Sequence, residues 1–448
     1  MDAIELNAQN GVPARPSSSL EDHNGSTSEV NSGRAQNALP PTDQGYRAWL
    51  CLAGCFVSNV VVWGFAFSFG VLQEYYTTHE PFKSHPSGIP AIGTTATGLS
   101  YLTMPIYFWV FQRYPRWRRW SCFASLPLLV AALVGASFAN AVPQLLVFQG
   151  VLYAIAGNAL VTPTITYLDE WFVRRKGLAV GIMWAGDGAG GVIMPILMQV
   201  LLSRVGFRWT LRIIAGIIVL LTAPLLVFLQ PRVPVSATAT PRPLDISFIR
   251  TPLFWTLQAF NVLQASGYFL PSNYLPTYVE SLGLSSTFGS LTLILINLSS
   301  IFGCITVGFL ADRIDITTIL LSISLLAATT VFLTWGLSIS VAPIYIFCIT
   351  YGLTAGGYSS TWGGMVKEIQ RRHEGIDASM LFGFLAAGRG IGAVASGPLS
   401  ELLLTAGERM HSRAEFGYGT EYSPIIIFSG CTALVGGGSW MLRRAGWI

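Results

Sequence analysis

Twelve long apolar runs leave this chain few ways to fold. They lie at roughly 48–73, 91–111, 121–140, 144–168, 177–202, 210–229, 254–275, 288–310, 317–337, 342–364, 379–404 and 424–442. An α-helix needs about 20 apolar residues to cross the ~30 Å hydrocarbon core of a bilayer. Inside that core every backbone polar group must be satisfied internally, so only helices and closed barrels span it. Barrel strands alternate apolar and polar residues over about ten positions, and these runs do not alternate. The pattern predicts an all-α membrane protein of twelve transmembrane helices.

Composition agrees. Of 448 residues, 52% are hydrophobic and 11% charged, against about 25% charged in soluble domains. So few charges cannot cover a water-facing surface of this size, which excludes a soluble enzyme. The net charge of +4 comes with no basic stripe beside aromatics, so nucleic acid is not an expected partner. The six cysteines all fall in apolar runs and none of the five histidines does, so neither a disulfide framework nor a metal site is expected. There is no His-x-x-His or Gly-x-Ser-x-Gly spacing and no nucleotide-binding cassette. No enzyme activity and no cofactor are expected.

Lysine and arginine divide the connections into two sets. One set, with both ends of the chain, carries 18 of the 26 basic residues, including Arg113, Arg116, Arg118 and Arg119 in a single connection. The opposite set carries five: Lys83, Arg204, Arg208, Arg409 and Arg413. By the positive-inside rule both termini are cytoplasmic, in the cell membrane or in a vacuolar or other internal membrane. The expected organisation is a disordered tail over 1–46, a six-helix bundle over 47–229, a central loop over 230–250, a second bundle over 251–442 and a cytoplasmic end at 443–448.

The two halves echo each other. Ala185-Gly186-Asp187-Gly188-Ala189-Gly190 in the fifth run matches Ala387-Gly388-Arg389-Gly390-Ile391-Gly392 in the eleventh, at an offset of 202. Gln112-Arg113 matches Asp312-Arg313 at an offset of 200. Parallel halves of this kind characterise secondary transporters, with the substrate site near the bilayer midplane. Gly186 to Gly191 satisfies the dinucleotide pattern G-x-G-x-x-G, but it lies mid-span without the strand and helix N-terminus that pattern requires. Small residues there serve close helix packing.

Asp187 and Arg389 each sit about ten residues into their runs. At 1.5 Å per residue this is about 15 Å deep, the middle of the core. A charge there is costly unless it faces water, a partner or a substrate. Three arrangements meet that requirement. The two residues bridge and lock the halves; or Asp187 is protonated and bonds a neighbouring helix; or Arg389 holds an anionic or carbonyl group of the substrate while Asp187 carries a proton or balances that charge. Asn297, Asn158 and Trp362 are further candidates for the cavity wall, each with an interhelical packing role as the alternative.

Other motifs add a family resemblance. Gly308-Phe-Leu-Ala-Asp312-Arg313 resembles the G-x-x-x-D-R cytoplasmic loop motif of the major facilitator superfamily. Asp43-Gln-Gly45-Tyr-Arg-Ala-Trp49 resembles the entry to the first span of the monocarboxylate porters, in their fungal branch. Trp171-Phe-Val-Arg174-Arg175-Lys-Gly-Leu-Ala-Val-Gly181 resembles that family's entry to the fifth span, and Tyr268 to Tyr278 its seventh-span exit. The resemblance implies two pseudo-symmetric bundles and secondary active transport of a small organic acid or metabolite by alternating access, with proton coupling. It also implies gating roles for Asp43, Gly45, Trp49, Arg174, Arg175, Gly308, Asp312 and Arg313. The alternatives are an exporter of a secondary metabolite or drug-like compound, and a non-transporting nutrient receptor. In one respect the chain departs from the family. An Asp-x-x-x-Arg pair is common in the eighth span, and those positions here are Ser300 and Cys304.

Overall fold

The structure, a computed structural model, describes residues 39–83, 88–233, 246–372, 375–409 and 416–446. The predicted tail up to residue 38 and most of the central loop lie outside the described residues, as do Arg15, Arg34, Arg242 and Arg413. The described residues form helices and connections, with no strand among them.

Nine helices among the described residues are long and apolar enough to cross a membrane. The longest, Lys176–Leu226, is two helices in line. Gly206 breaks it at φ 71°, in the left-handed region that glycine enters at little cost, separating α5 (176–205) from α6 (207–226). Two further helices fall outside the nine for visible reasons. One is interrupted at Thr103 into Ile89–Leu102 and Met104–Arg113, leaving neither piece long. The other, Pro252–Ser281, carries Gln258, Asn261 and Gln264 along a buried face. With these included, the helices agree with the twelve predicted runs.

In chain order they are α1 (Tyr46–Thr78), α2 (Ile89–Leu102 with Met104–Arg113), α3 (Trp117–Ala136), α4 (Val142–Trp171), α5 and α6 as above, α7 (Pro252–Ser281), α8 (Ser286–Ala311), α9 (Ile316–Trp335), α10 (Val341–Arg372), α11 (Ala378–Arg409) and α12 (Ser423–Arg444). The outward faces are apolar, with Leu220, Leu326 and Leu402 all exposed. Such faces suit lipid, where burial in hydrocarbon replaces burial in protein. Trp49, Trp117, Trp120, Trp209 and Trp255 near helix ends are also exposed, as anchors in the interfacial belt.

The described residues include the stretch just before the expected tail boundary at 46. Asp43 is 8% exposed, and its backbone N–H donates to the Trp171 carbonyl at 2.9 Å. A carboxylate buried among backbone donors holds this stretch in place, a contact that composition alone does not reveal.

Candidate functional site

The glycines of α5 bring helices together at backbone distance. A Cβ on Gly186 would lie 2.5 Å from the Phe56 carbonyl oxygen of α1, and one on Gly190 would lie 2.5 Å from that of Val60. On the other side of α5, Gly181 packs against Cys304 and Gly308 of α8, while Gly188 and Gly191 pack against Asn297. In α11, Gly388 and Gly392 approach α7 at Gln258 and Ala265, Gly383 approaches α2 at Phe108 and Pro105, and Gly390 approaches it at Tyr101. The repeated motif is therefore a packing device on both helices, and the residue in its middle is left facing the space between them.

That space is a central cavity lined by Asp187, Arg389, Asn297, Ser300, Cys304, Ser359, Gly188 and Gly356, with the rings of Phe67, Tyr101, Trp184 and Tyr268. Its volume open to water centres is about 30 Å³. One water needs about 10–15 Å³ on that measure, so in this state the cavity admits a water or two and nothing larger. A groove of about 600 Å³ on the lipid side of α2, α3 and α4, walled by Ile106, Val110, Phe111, Trp117 and Trp120, shares no residue with it.

Arg389 is 2% exposed. Its Nη1 donates to Gln264 Oε1 at 3.2 Å, and its guanidinium carbon lies 4.4 Å from the Tyr268 ring centre and 5.4 Å from that of Phe269. Cation–π contacts of this kind stabilise by about 2 kcal/mol when desolvated. Its Nε–H has no partner, and neither has Asp187 Oδ1. The two residues are not among the four ion pairs within 4.0 Å found in the described residues. An unpaired buried polar atom costs about 1–3 kcal/mol. Here both residues line one cavity and leave an atom unsatisfied instead of closing on each other.

Aromatic contacts bound the cavity. On one side the Trp184 ring meets Trp362 edge-on at 5.3 Å, and Trp362 meets Phe382 at 5.5 Å. Phe382 reaches Phe108 at 6.4 Å. On the other side a single ring contact, Phe67 to Phe269 at 6.4 Å, joins α1 to α7.

Past the Trp184 cluster the bundle is tied shut. Asp312, after α8, accepts hydrogen bonds from the Gly177 and Leu178 backbone N–H groups at 2.7 and 2.9 Å. Its carboxylate thus caps the N-terminus of α5, where unsatisfied donors and the helix dipole favour an anion. Gly308 permits the approach, because a Cβ there would lie 2.4 Å from the Gly177 carbonyl oxygen. Asp43 accepts from the N–H groups of Val173, Arg174 and Arg175. Burial alone would raise its carboxyl pKa, but these backbone donors, with the Arg175 charge, hold it below the usual carboxylate range.

The predicted residues divide accordingly. Asp187, Arg389 and Asn297 meet at the cavity. Trp362 does not line it. That ring is fully buried, with its Nε1–H donating to Asn261 Oδ1 at 3.2 Å. Asn158 bonds the Ser100 carbonyl and Thr103 Oγ1 of α2. Gly45 precedes α1 at φ 85°, and Trp49 packs edge-on to Phe172. Arg174 and Arg175 contribute their backbone N–H groups, and Arg313 lies over the Phe309 ring at 4.1 Å. Sequence reasoning missed Gln264, Tyr101, Phe67 and Ser359, whose types are common in any span. It also missed Glu170, which pairs with Arg118 at 3.0 Å and accepts from the Arg232 and Val233 backbone. An acidic residue at a span exit facing an arginine-rich loop was the available signal.

The comparisons with known proteins agree with this architecture. The chain is 30% identical to an agnestins efflux protein of Paecilomyces divaricatus over 98% of this chain and 95% of that protein. It is 27% identical to an MFS transporter of Aspergillus flavus over 92% and 90%, and 30% identical to an aspyridones efflux protein of Emericella nidulans over 76% and 69%. Among solved structures it resembles FucP, a Major Facilitator Superfamily transporter in the outward conformation, with a TM-score of 0.59 and 11% identity over 85% of this chain and 97% of that one. The family profile of the Major Facilitator Superfamily matches residues 48–395. Helices in two echoing sets around one central polar cavity, with that profile across most of the length, place this multi-pass membrane protein in the major facilitator superfamily of transporters.

Proposed function

We propose that this chain exports a secondary metabolite by alternating access, driven by protons, with both termini cytoplasmic and with halves at 47–229 and 251–442. The observation that carries this reading is the mid-span charged pair, Asp187 and Arg389, which lines one cavity without closing into an ion pair. Arg389 anchors a polar group of the cargo and Asp187 exchanges the proton. Two relatives that match most of this chain are named as efflux proteins, one for agnestins and one for aspyridones, which supports export over uptake. The eighth helix supports it too: Ser300 and Cys304 line the cavity where monocarboxylate porters carry an acid and an arginine. With Asp312 on the cytoplasmic side, the state described here is shut toward the cell interior.

The test is a proteoliposome assay with an entrapped pH dye, challenged with simple monocarboxylates and with lipophilic aromatic metabolites. The expected result is proton flux on adding the metabolites, lost in Asp187→Asn. Flux driven only by simple monocarboxylates, or no flux with any compound, contradicts the reading.

A further inference from the structure

Three side-chain atoms around the central cavity find no partner within the protein: Arg389 Nε–H, Asp187 Oδ1 and the Trp184 indole N–H. All three residues line the same cavity, and Trp184 is 1% exposed and Arg389 2%. Their hydrogen-bonding roles are not interchangeable. An indole N–H and a guanidinium N–H only donate, and a carboxylate oxygen accepts. A ligand complementary to these three atoms therefore accepts twice and donates once.

That requirement separates ligand classes. A simple carboxylate offers only acceptors and sets its charge beside Asp187. An amine offers only donors and sets its charge beside Arg389. An ether or ester satisfies the two donors and leaves Asp187 unmatched. A hydroxyl beside a carbonyl supplies all three contacts without a net charge. The walls add a shape condition. Phe67, Tyr101, Trp184 and Tyr268 present rings to the cavity, and stacking on such faces favours a flat conjugated body.

We propose that, when the cavity widens beyond the water-sized state described here, the cargo docks through a hydroxyl set beside a carbonyl on a planar conjugated ring, its oxygens accepting from Arg389 and Trp184 and its hydroxyl donating to Asp187. This rests on the reading of Asp187 and Arg389 as the transport site, and it adds Trp184 as a residue that selects cargo. Trp184 also contacts Trp362 and lies nearly parallel to Phe382 at 6.3 Å, so it joins the cargo pocket to the aromatic cluster behind it.

The experiment is calorimetric binding to the full chain in nanodiscs, with 3-hydroxyflavone, 3-methoxyflavone and 2-naphthoate as probes. The hydroxy compound is expected to bind at least tenfold tighter than either of the others. Trp184→Phe keeps the ring and removes the N–H, and Asp187→Leu removes the acceptor. Each is expected to weaken 3-hydroxyflavone several-fold and to leave 3-methoxyflavone within twofold in the Asp187→Leu protein. Equal binding of the hydroxy and methoxy probes, tighter binding of 2-naphthoate, no binding of any probe, or an unchanged preference in both variants overturns the proposal. If the pH-dye assay still reports metabolite-driven flux, that failure is confined to the cargo class. If flux is absent as well, the transport reading fails with it.

Discussion

Helices α5 and α11 carry the same six-residue motif 202 positions apart, yet they handle it differently. Gly186 and Gly190 press on the backbone of α1, and Gly388 and Gly392 press on α7. Both helices also pack across to the opposite half, α5 to α8 through Gly188 and α11 to α2 through Gly390. Duplication has thus preserved the close approach of helices. The central residue has not been preserved. Arg389 is enclosed by Gln264 and two rings, whereas Asp187 is only partly buried at the cavity wall. The helix starts differ as well. Asp377 caps α11 from within its own half, accepting from Ser379 and Met380, but α5 is capped by Asp312 from across the interface. One start is self-contained and the other is a latch.

The largest effect is expected at the enclosed charge. Arg389→Ala removes the only cation among the described residues that line the cavity, and substrate binding should fall at least 100-fold by calorimetry. Next come the glycines. Gly186→Ala drives a methyl into the Phe56 carbonyl, which cannot move far, while Gly388→Ala meets the side chain of Gln258, which can turn aside. Overpacking costs about 1–3 kcal/mol, so Gly186→Ala should lower the melting temperature clearly more than Gly388→Ala. Equal shifts would mean that the two seams are packed alike.

The latch comparison comes third. On the alternating-access reading, Asp312→Asn should keep surface expression and slow turnover several-fold, because it weakens a contact that has to break and re-form as the gate cycles. Asp377→Ala should cost about 1 kcal/mol of stability, the usual worth of a cap, with turnover unchanged. The smallest effect concerns Asp43. Its folded pKa lies below the unfolded value, so its contribution to stability is present above about pH 4 and is lost as pH falls through the lowered value. Asp43→Asn should therefore melt lower than the parent chain at pH 7, with the gap closing below pH 4.

Much of this was legible in the sequence because bilayer physics is severe. Apolar runs of about 20 residues admit one secondary structure, and a mid-span Asp and Arg at equal depth mark a site by their cost alone. The glycine repeat gave the pairing of α5 with α11. Other features were hidden for physical reasons. Helix α7 hides its buried face because Gln258, Asn261 and Gln264 lower its hydropathy. Trp362 and Asn158 resemble cavity residues in sequence, but the Trp362 indole N–H and the Asn158 amide N–H donate to neighbouring helices. Which polar atoms remain unpaired is a three-dimensional property, and Trp184 looks like any core tryptophan until its N–H is traced.

Asp187 and Arg389 are proposed to act on cargo and proton and not merely on each other. Proteoliposome transport under an imposed pH gradient tests it most directly, comparing Asp187→Asn, Arg389→Gln and the double variant with the parent chain. Asp187→Asn should retain cargo exchange and lose its response to the pH gradient, because an amide oxygen still accepts a hydrogen bond but cannot take up the proton. Arg389→Gln should lose both, and the double variant should be no better than Arg389→Gln alone. Restoration of gradient-driven transport in the double variant would contradict the account, because only a pair whose charges serve each other can be neutralised together without loss.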